Sequence, residues 1–250
     1  MSFLKKVAKK SYALLPWKFW GPGYVIFFGG IGKKSKFRKF CVGKGSYVDP
    51  SVCIVGWKNV LIGSNTILSE DVWLNVNHRE QEVKRIIIGD NCIIGKRNFL
   101  SSGPLIEIKD YCFTGLNCQF LGCGHIIDRP TEPYITSGTT AGDIIGIGVN
   151  CWLATSVTVL QGVRIGHGSV IGAGSFVLSD IPPFSVAVGN PCKVIKRYDF
   201  QNSRWVRLSD WTDELEKLIP TETEYLKSLK NKCGAIPLHL VNSSKRFGWV

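Results

Sequence analysis

An aliphatic residue recurs at every sixth position through Ile147, Leu153, Val159, Ile165, Ile171 and Val177, often followed by Gly or Ala. A period of six fits neither the 3.6-residue repeat of a helix nor the simple alternation of a strand; it requires repeated short flat segments joined by corners. The fifth place of successive hexads holds Cys151, Val157, Val163, Ser169 and Ser175, all small or β-branched. Each hexad therefore offers two inward slots of different size. That is the wall of a β-solenoid, in which stacked neighbours bury what a single repeat cannot bury alone.

The same phase runs backwards through Val42, Val48 and Ile54, then Ile62, Leu68 and Leu74, then Ile88, Ile94 and Leu100, then Ile108, Thr114 and Phe120. Each trio makes one 18-residue coil with three flat sides, giving about six coils between residue 42 and about residue 182. Between trios the phase predicts excursions at residues 60–61, at the charged stretch 80–87, at 106–107 and, longest, at 126–146. A solenoid accepts such loops at its corners without breaking the stacked core. In this register Cys92, Cys112, Cys118 and Cys151 take the small inward slot and read as core residues. Cys123, close to His125, is the exception.

Past Pro182 the repeat ends, and residues 208–229 read as two short helices separated by Pro220, with Thr221 and Glu224 at capping-box spacing. Residues 233–250 read as coil. The expected organisation is a basic segment over 1–41, the solenoid domain over 42–197 and a helical extension over 198–250, with the tail packing on the solenoid or on a neighbouring subunit.

Charge narrows the partners. The chain has 250 residues and a formal charge of +12, and residues 1–40 contribute ten Lys or Arg and no acid. Phe3, Leu4, Val7, Leu14 and Leu15 share one arc of a helical projection, while Lys5, Lys6, Lys9 and Lys10 share the other; Pro16 ends the segment, with Trp17 and Trp20 nearby. This pattern suits an interfacial helix on anionic headgroups, or alternatively a helix packed against the solenoid. No apolar run approaches the ~20 residues a membrane span needs, and the start lacks the organisation of a secretory signal. The expected location is the cytoplasm, peripheral on the inner membrane. The nine cysteines include no Cys-x-x-Cys pair, so reduced thiols and no structural metal are expected.

The stretch IGVNCWLATSVTVLQGVRIGHGSVIGAGSFVLSDIPPFSVAVGNPCKVIKR, residues 147–197, resembles the hexapeptide-repeat acyltransferases of the galactoside and maltose O-acetyltransferase type. The likeness rests on the repeat, the Ile-Gly-Ala-Gly-Ser turn, the Asp-Ile-Pro-Pro exit and the Gly-Asn-Pro-Cys-Lys-Val-Ile close; with the upstream coils it covers residues 42–197. The resemblance implies an all-β fold, a left-handed parallel β-helix, and a homotrimer with acetyl-CoA as co-substrate in the groove between subunits. It also implies a catalytic histidine at the end of a coil before a long loop, where His125 stands in GCGHIID. Imidazole suits the task, because a hydroxyl attacking a thioester needs a base that works near neutral pH.

For the donor, the resemblance points to Trp152 beside the pantetheine arm, to the small Ala173 at its turn, and to Lys193 and Lys196 near the nucleotide phosphates. A backbone N–H at Ala154 or Thr155 is the candidate oxyanion donor. Asn75, Asn77, His78, Arg79, Ser101 and Ser102 are expected on the same face as His125 and form the candidate wall for a saccharide acceptor. Relatives carry an asparagine in the coil before the histidine, where this chain has Leu100-Ser101-Ser102-Gly103.

The preferred acceptor is a sugar hydroxyl of a bacterial capsule or lipopolysaccharide, since the basic segment favours a lipid-linked glycan. The runner-up is an amine of a soluble sugar nucleotide. A carbonic-anhydrase-like solenoid needs three histidines around one metal, and the four available, His78, His125, His167 and His239, are spaced poorly for it. A non-catalytic scaffold would leave the His125 loop without a purpose. Nucleic acid is not expected as a partner, for want of a recognition module.

Overall fold

A computed structural model describes residues 41–233, all within one compact unit, Phe40–Val250. The basic segment and residues 234–250 lie outside the described residues. The hexads become three parallel sheets wrapped around one core. The first face stacks Cys41–Val42, Val60–Ile62, Ile86–Ile88, Ile106–Ile108, Ile145–Ile147 and Arg164–Ile165. The second begins with Tyr47–Val48 and passes through Ile67–Leu68, Ile93–Ile94, Phe113–Thr114 and Trp152–Leu153 to Val170–Ile171. The third holds Cys53–Val55, Trp73–Val76, Phe99–Ser102, Gln119–Leu121, Thr158–Leu160 and Phe176–Val177. Every residue of the sixfold series from Ile147 to Val177 is buried in the common core.

On the first face the residue two places before each phase position is buried as well: Val60, Ile86, Ile106 and Ile145. Alternation puts i and i+2 on the same side of a strand, so these strands begin earlier than the sixfold phase suggested. Residues 60–61, 86–87, 106–107 and 145–146 consequently belong to strands. The excursions end before them, the first being the 3₁₀ turn Trp57–Asn59.

Corners repeat a left-handed backbone conformation. Asn65, Asn91, Asn117 and Asn150 all have φ between 53° and 58°, a region asparagine tolerates better than most residues. One inner corner carries a vertical series of donors, each bonded to a carbonyl of the next coil. Ser46 Oγ donates to Gly63, Thr66 Oγ1 to Gly89, Cys92 Sγ to Lys109, Cys112 Sγ to Gly148, Cys151 Sγ to Gly166 and Ser169 Oγ to Pro182. At this corner the small slot thus selects hydroxyl or thiol: it is compact, and it satisfies a carbonyl that the corner would otherwise leave unpaired.

Between Pro182 and the two expected helices the structure adds strands that the sequence reading did not anticipate. Ser185–Val188 continues the second face, and Lys193–Asp199 and Arg204–Arg207 extend it as antiparallel strands. Two helices follow, α1 (Asp213–Glu216) and α2 (Glu222–Cys233). Thr221 and Glu224 form the anticipated capping box: the Thr221 N–H donates to Glu224 Oε2 at 2.9 Å, and the Glu224 N–H donates to Thr221 Oγ1 at 3.3 Å. The start of α2 is fastened to the solenoid by a Glu222–Lys109 ion pair, by the Val149 N–H donating to Glu222 at 3.0 Å, and by Asn150 on the Tyr225 hydroxyl.

Candidate active site

His125 follows the strand Gln119–Leu121 by four residues, at the corner where the third face turns toward the first, and its ring is exposed. The long loop leaves here and returns against the same corner. A Cβ on Gly142 would lie 2.0 Å from the Gly122 carbonyl oxygen, so glycine is what lets the returning chain pass that close. On its way back the loop pairs with the histidine segment. Thr140 N–H donates to the Gly124 carbonyl at 2.8 Å, Gly124 N–H donates to Thr140 Oγ1 at 3.1 Å, and residues 125 and 139 form an isolated antiparallel bridge.

His125 Nδ1 lies 3.1 Å from the Gly138 carbonyl oxygen. A carbonyl can only accept, so Nδ1 donates, and in the neutral ring the lone pair is on Nε2. A backbone carbonyl holding one ring nitrogen in this way selects the tautomer that can act as a base through the other.

The residues expected as an acceptor wall are brought together, but largely bonded to one another. Asn77 Nδ2 donates to Ser101 Oγ at 2.9 Å, to the Ser102 carbonyl at 2.8 Å and to Cys123 Sγ at 2.9 Å, while Asn77 Oδ1 accepts from Asn75 at 2.9 Å. Ser102 is fully buried and so cannot touch an acceptor; its hydroxyl faces the interior. Ser101 is nearly as enclosed. His78 Nε2 sits 3.0 Å from the Thr140 carbonyl, on the returning arm of the loop. Burial pushes the Cys123 thiol up, and the hydrogen bond with Ser101 opposes this; Asn77 on its Sγ holds Cys123 in the packing of this corner.

The donor candidates lie elsewhere on the chain. Trp152 stands on the outer side of the second face, 48% exposed, next to Phe113 at 45%. The outward column continues through Val170 and Val186 to Lys196, roughly 14 Å from Trp152 at ~4.8 Å per strand. Lys193 lies on the same terminal strand and is exposed, as is Ala173 at its turn. Ala154 is corrected as an oxyanion donor, because its N–H donates to the Ile171 carbonyl at 2.9 Å within the sheet. Thr155, exposed at the next position, keeps that candidacy. His125 occupies the corner between the third and first faces, and Trp152 lies in the second face, opposite that corner. One chain therefore does not bring the two together. A depression of about 430 Å³ on the first face, walled by Glu107, Arg164, His167, Asp180 and Glu222, does not include His125 either.

Six coils, three parallel sheets and the six-residue period define a parallel β-helix of hexapeptide repeats. The chain is similar in sequence, over part of its length, to proteins named as acetyltransferases. A provisionally named acetyltransferase of Staphylococcus aureus strain MRSA252 is 43% identical over 111 residues, covering 38% of this chain and 56% of that protein. One of Saccharomyces cerevisiae, named in the same way, is 37% identical over 118 residues, covering 47% of this chain and 59% of that protein. The chain thus spans a little over half the length of these curated relatives. Among solved structures, a variant of AntD, an N-acyltransferase from Bacillus cereus in complex with dTDP and coenzyme A, superposes with a TM-score of 0.57 at 19% identity, covering 79% of this chain and 97% of that one. At that identity the likeness concerns the fold. No protein-family model matches the chain.

Proposed function

We propose that the protein is an acetyl-CoA-dependent O-acetyltransferase acting on a sugar hydroxyl of a bacterial surface polysaccharide, with His125 as general base. The observation that carries this reading is the bare Nε2 of an exposed imidazole whose Nδ1 is held by the Gly138 carbonyl. The acceptor oxygen attacks the acetyl carbonyl carbon as its proton passes to Nε2. The carbon–sulfur bond then breaks, and the proton goes on to the departing sulfur, restoring neutral His125. No covalent enzyme intermediate is needed. The Thr155 N–H is the nearest remaining candidate for stabilising the oxyanion.

The second face suits the donor. Trp152 supplies an exposed aromatic flank for an extended chain, Ala173 a low wall, and Lys193 and Lys196 positive charge for phosphates. Because the base and this face lie on opposite sides of one chain, the site needs a second copy; with the homotrimer that the resemblance implies, each groove takes the base from one subunit and the donor wall from the next. The apolar exposure of Phe113 and Trp152 supports such an association. Asn75 and the 126–144 loop are left to contact the saccharide. The basic N-terminal residues, through peripheral contact with anionic lipid at the inner membrane, favour a lipid-linked acceptor over a soluble amino-sugar nucleotide.

The test is acetyl transfer from acetyl-CoA to a panel of oligosaccharides and amino-sugar nucleotides, with the product position read by NMR. An O-acetyl sugar is expected. Transfer confined to an amine would replace this reading with N-acetylation, and no transfer combined with no retained coenzyme A would favour a non-catalytic solenoid.

A further inference from the structure

Two histidines from different coils reach the same three residues of the long loop. His125 Nδ1 meets the carbonyl of Gly138, and His78 Nε2 meets the carbonyl of Thr140, at 3.1 and 3.0 Å. His78 follows the strand Trp73–Val76 by two residues, at the corner where the charged excursion leaves the second coil. Its neighbour Asn77 reaches the other arm of the loop, because its Nδ2 donates to Sγ of Cys123, two residues before His125. The adjacent pair therefore grips both arms: Asn77 the outgoing one at Cys123, His78 the returning one at Thr140. Between these grips stand the Thr140–Gly124 hydrogen bonds and the Gly138 carbonyl that selects the His125 tautomer. Within the loop itself the Gly138 carbonyl also accepts from the Ile126 N–H at 3.2 Å and from Ser137 Oγ at 3.4 Å; beyond these bonds the loop is exposed. Ile127 and Ile135 are 70% and 89% exposed, and a Cβ at Gly138 would meet nothing within 4 Å.

We propose that Asn77 and His78 form a positioning bracket for the base: they close the loop so that the Gly138 carbonyl stays on His125 Nδ1. This assigns His78 a part in orienting His125 and none in contacting the acceptor, and it rests on His125 being the base. Thr140 needs a donor from residue 78, so His78 holds its proton on Nε2. His125 then donates from Nδ1 and His78 from Nε2. A carboxamide at 78 can replace the donor; a phenyl ring of similar size cannot.

The experiment uses the full-length protein labelled with ¹⁵N-histidine, as wild type, His78→Phe and His78→Gln. Imidazole ¹⁵N shifts are read together with steady-state acetyl transfer. In wild type, His125 should show one protonated nitrogen, Nδ1. His78→Phe should move its two ring nitrogens toward a common averaged shift and lower kcat by about tenfold, since small misplacements of a catalytic group are felt strongly. The KM for acetyl-CoA should be unchanged. His78→Gln should restore both the shifts and most of kcat. Unaltered His125 shifts in His78→Phe overturn the bracket, as does a rise in acceptor KM alone, which would make His78 an acceptor contact. Should the wild type acetylate nothing, a shift response in His78→Phe reversed by His78→Gln still supports the bracket, while the acetyltransferase reading fails. If His78→Phe does not fold, His78→Gln decides the matter: averaged His125 shifts despite the retained amide donor count against the bracket, and wild-type shifts count for it.

Discussion

At the residue scale, the small inward slot is a hydrogen-bonding position as well as a packing one. The sequence shows Cys92, Cys112, Cys118 and Cys151 in phase with the core, and all four are buried. What periodicity could not show is the partner, because the accepting carbonyl belongs to the next coil and only stacking brings it near. In Cys92, the hydrogen bond with Cys112 and then burial push the thiol well above its usual range; in Cys112, burial leads. Reaction follows thiolate fraction and access, so a thiol reagent at pH 8 should label exposed Cys53 and Cys233 within minutes. Cys92, Cys112, Cys118 and Cys151 should react only after unfolding, with peptide mapping by mass spectrometry as the check. Early labelling of Cys112 would show that the core opens. The same limit explains the site residues that sequence misplaced. Ser102 and the Ala154 amide stood at plausible positions, but one faces inward and the other is engaged in a ladder, and neither fact is written in the local sequence.

At the scale of elements, the solenoid was legible because one period repeats through it, and the terminal hairpin was not. Lys193–Asp199 places Arg197 and Asp199 at its buried positions, so an apolar pattern is missing just where the strand turns inward. Arg197 can lie there because Glu216 of α1 accepts from both its terminal nitrogens, at 3.1 and 3.3 Å, and the Trp211 ring lies 4.5 Å from its guanidinium carbon. No single-strand pattern anticipates partners that arrive from a later helix. Helix α2 supplies the prediction at this scale. Burial raises the Glu222 carboxyl, but the hydrogen bonds from Lys109 and the Val149 N–H, with the charge of Lys109, bring it net below its ordinary 4.5. A depressed native value means that this contribution is complete above pH 4.5 and is lost as pH falls through the lower native value. Glu222→Gln should therefore lower stability at pH 7 by about 1 kcal/mol, with the difference from wild type shrinking below about pH 4. Thermal melts across pH 3 to 8 would show it; a difference that persists undiminished in acid would mean the carboxylate charge plays no part.

For the whole molecule, the proposed function requires a second copy, since the His125 corner and the Trp152 face are opposed on one chain. Mixing His125→Ala and Trp152→Ala chains, after dissociation and reassembly, should recover activity that neither variant has at low acetyl-CoA, because some interfaces then join an intact base to an intact donor wall. No recovery on mixing would place both residues in one chain's site. The basic N-terminal residues make a separate claim: removing residues 2–20 should abolish sedimentation with anionic vesicles and spare transfer to a soluble acceptor. Raising salt to 1 M, where the Debye length is about 3 Å, should weaken binding of the intact chain without abolishing it. Equal, negligible binding by both chains would contradict the membrane assignment. The central claim, however, is that His125 takes the acceptor's proton, and the most direct measurement of it compares acetyl transfer by wild type and His125→Ala at saturating acetyl-CoA, with coenzyme A affinity measured calorimetrically on both. The account predicts turnover lower by about 100-fold or more with affinity and trimer intact; turnover near that of the wild type would contradict it.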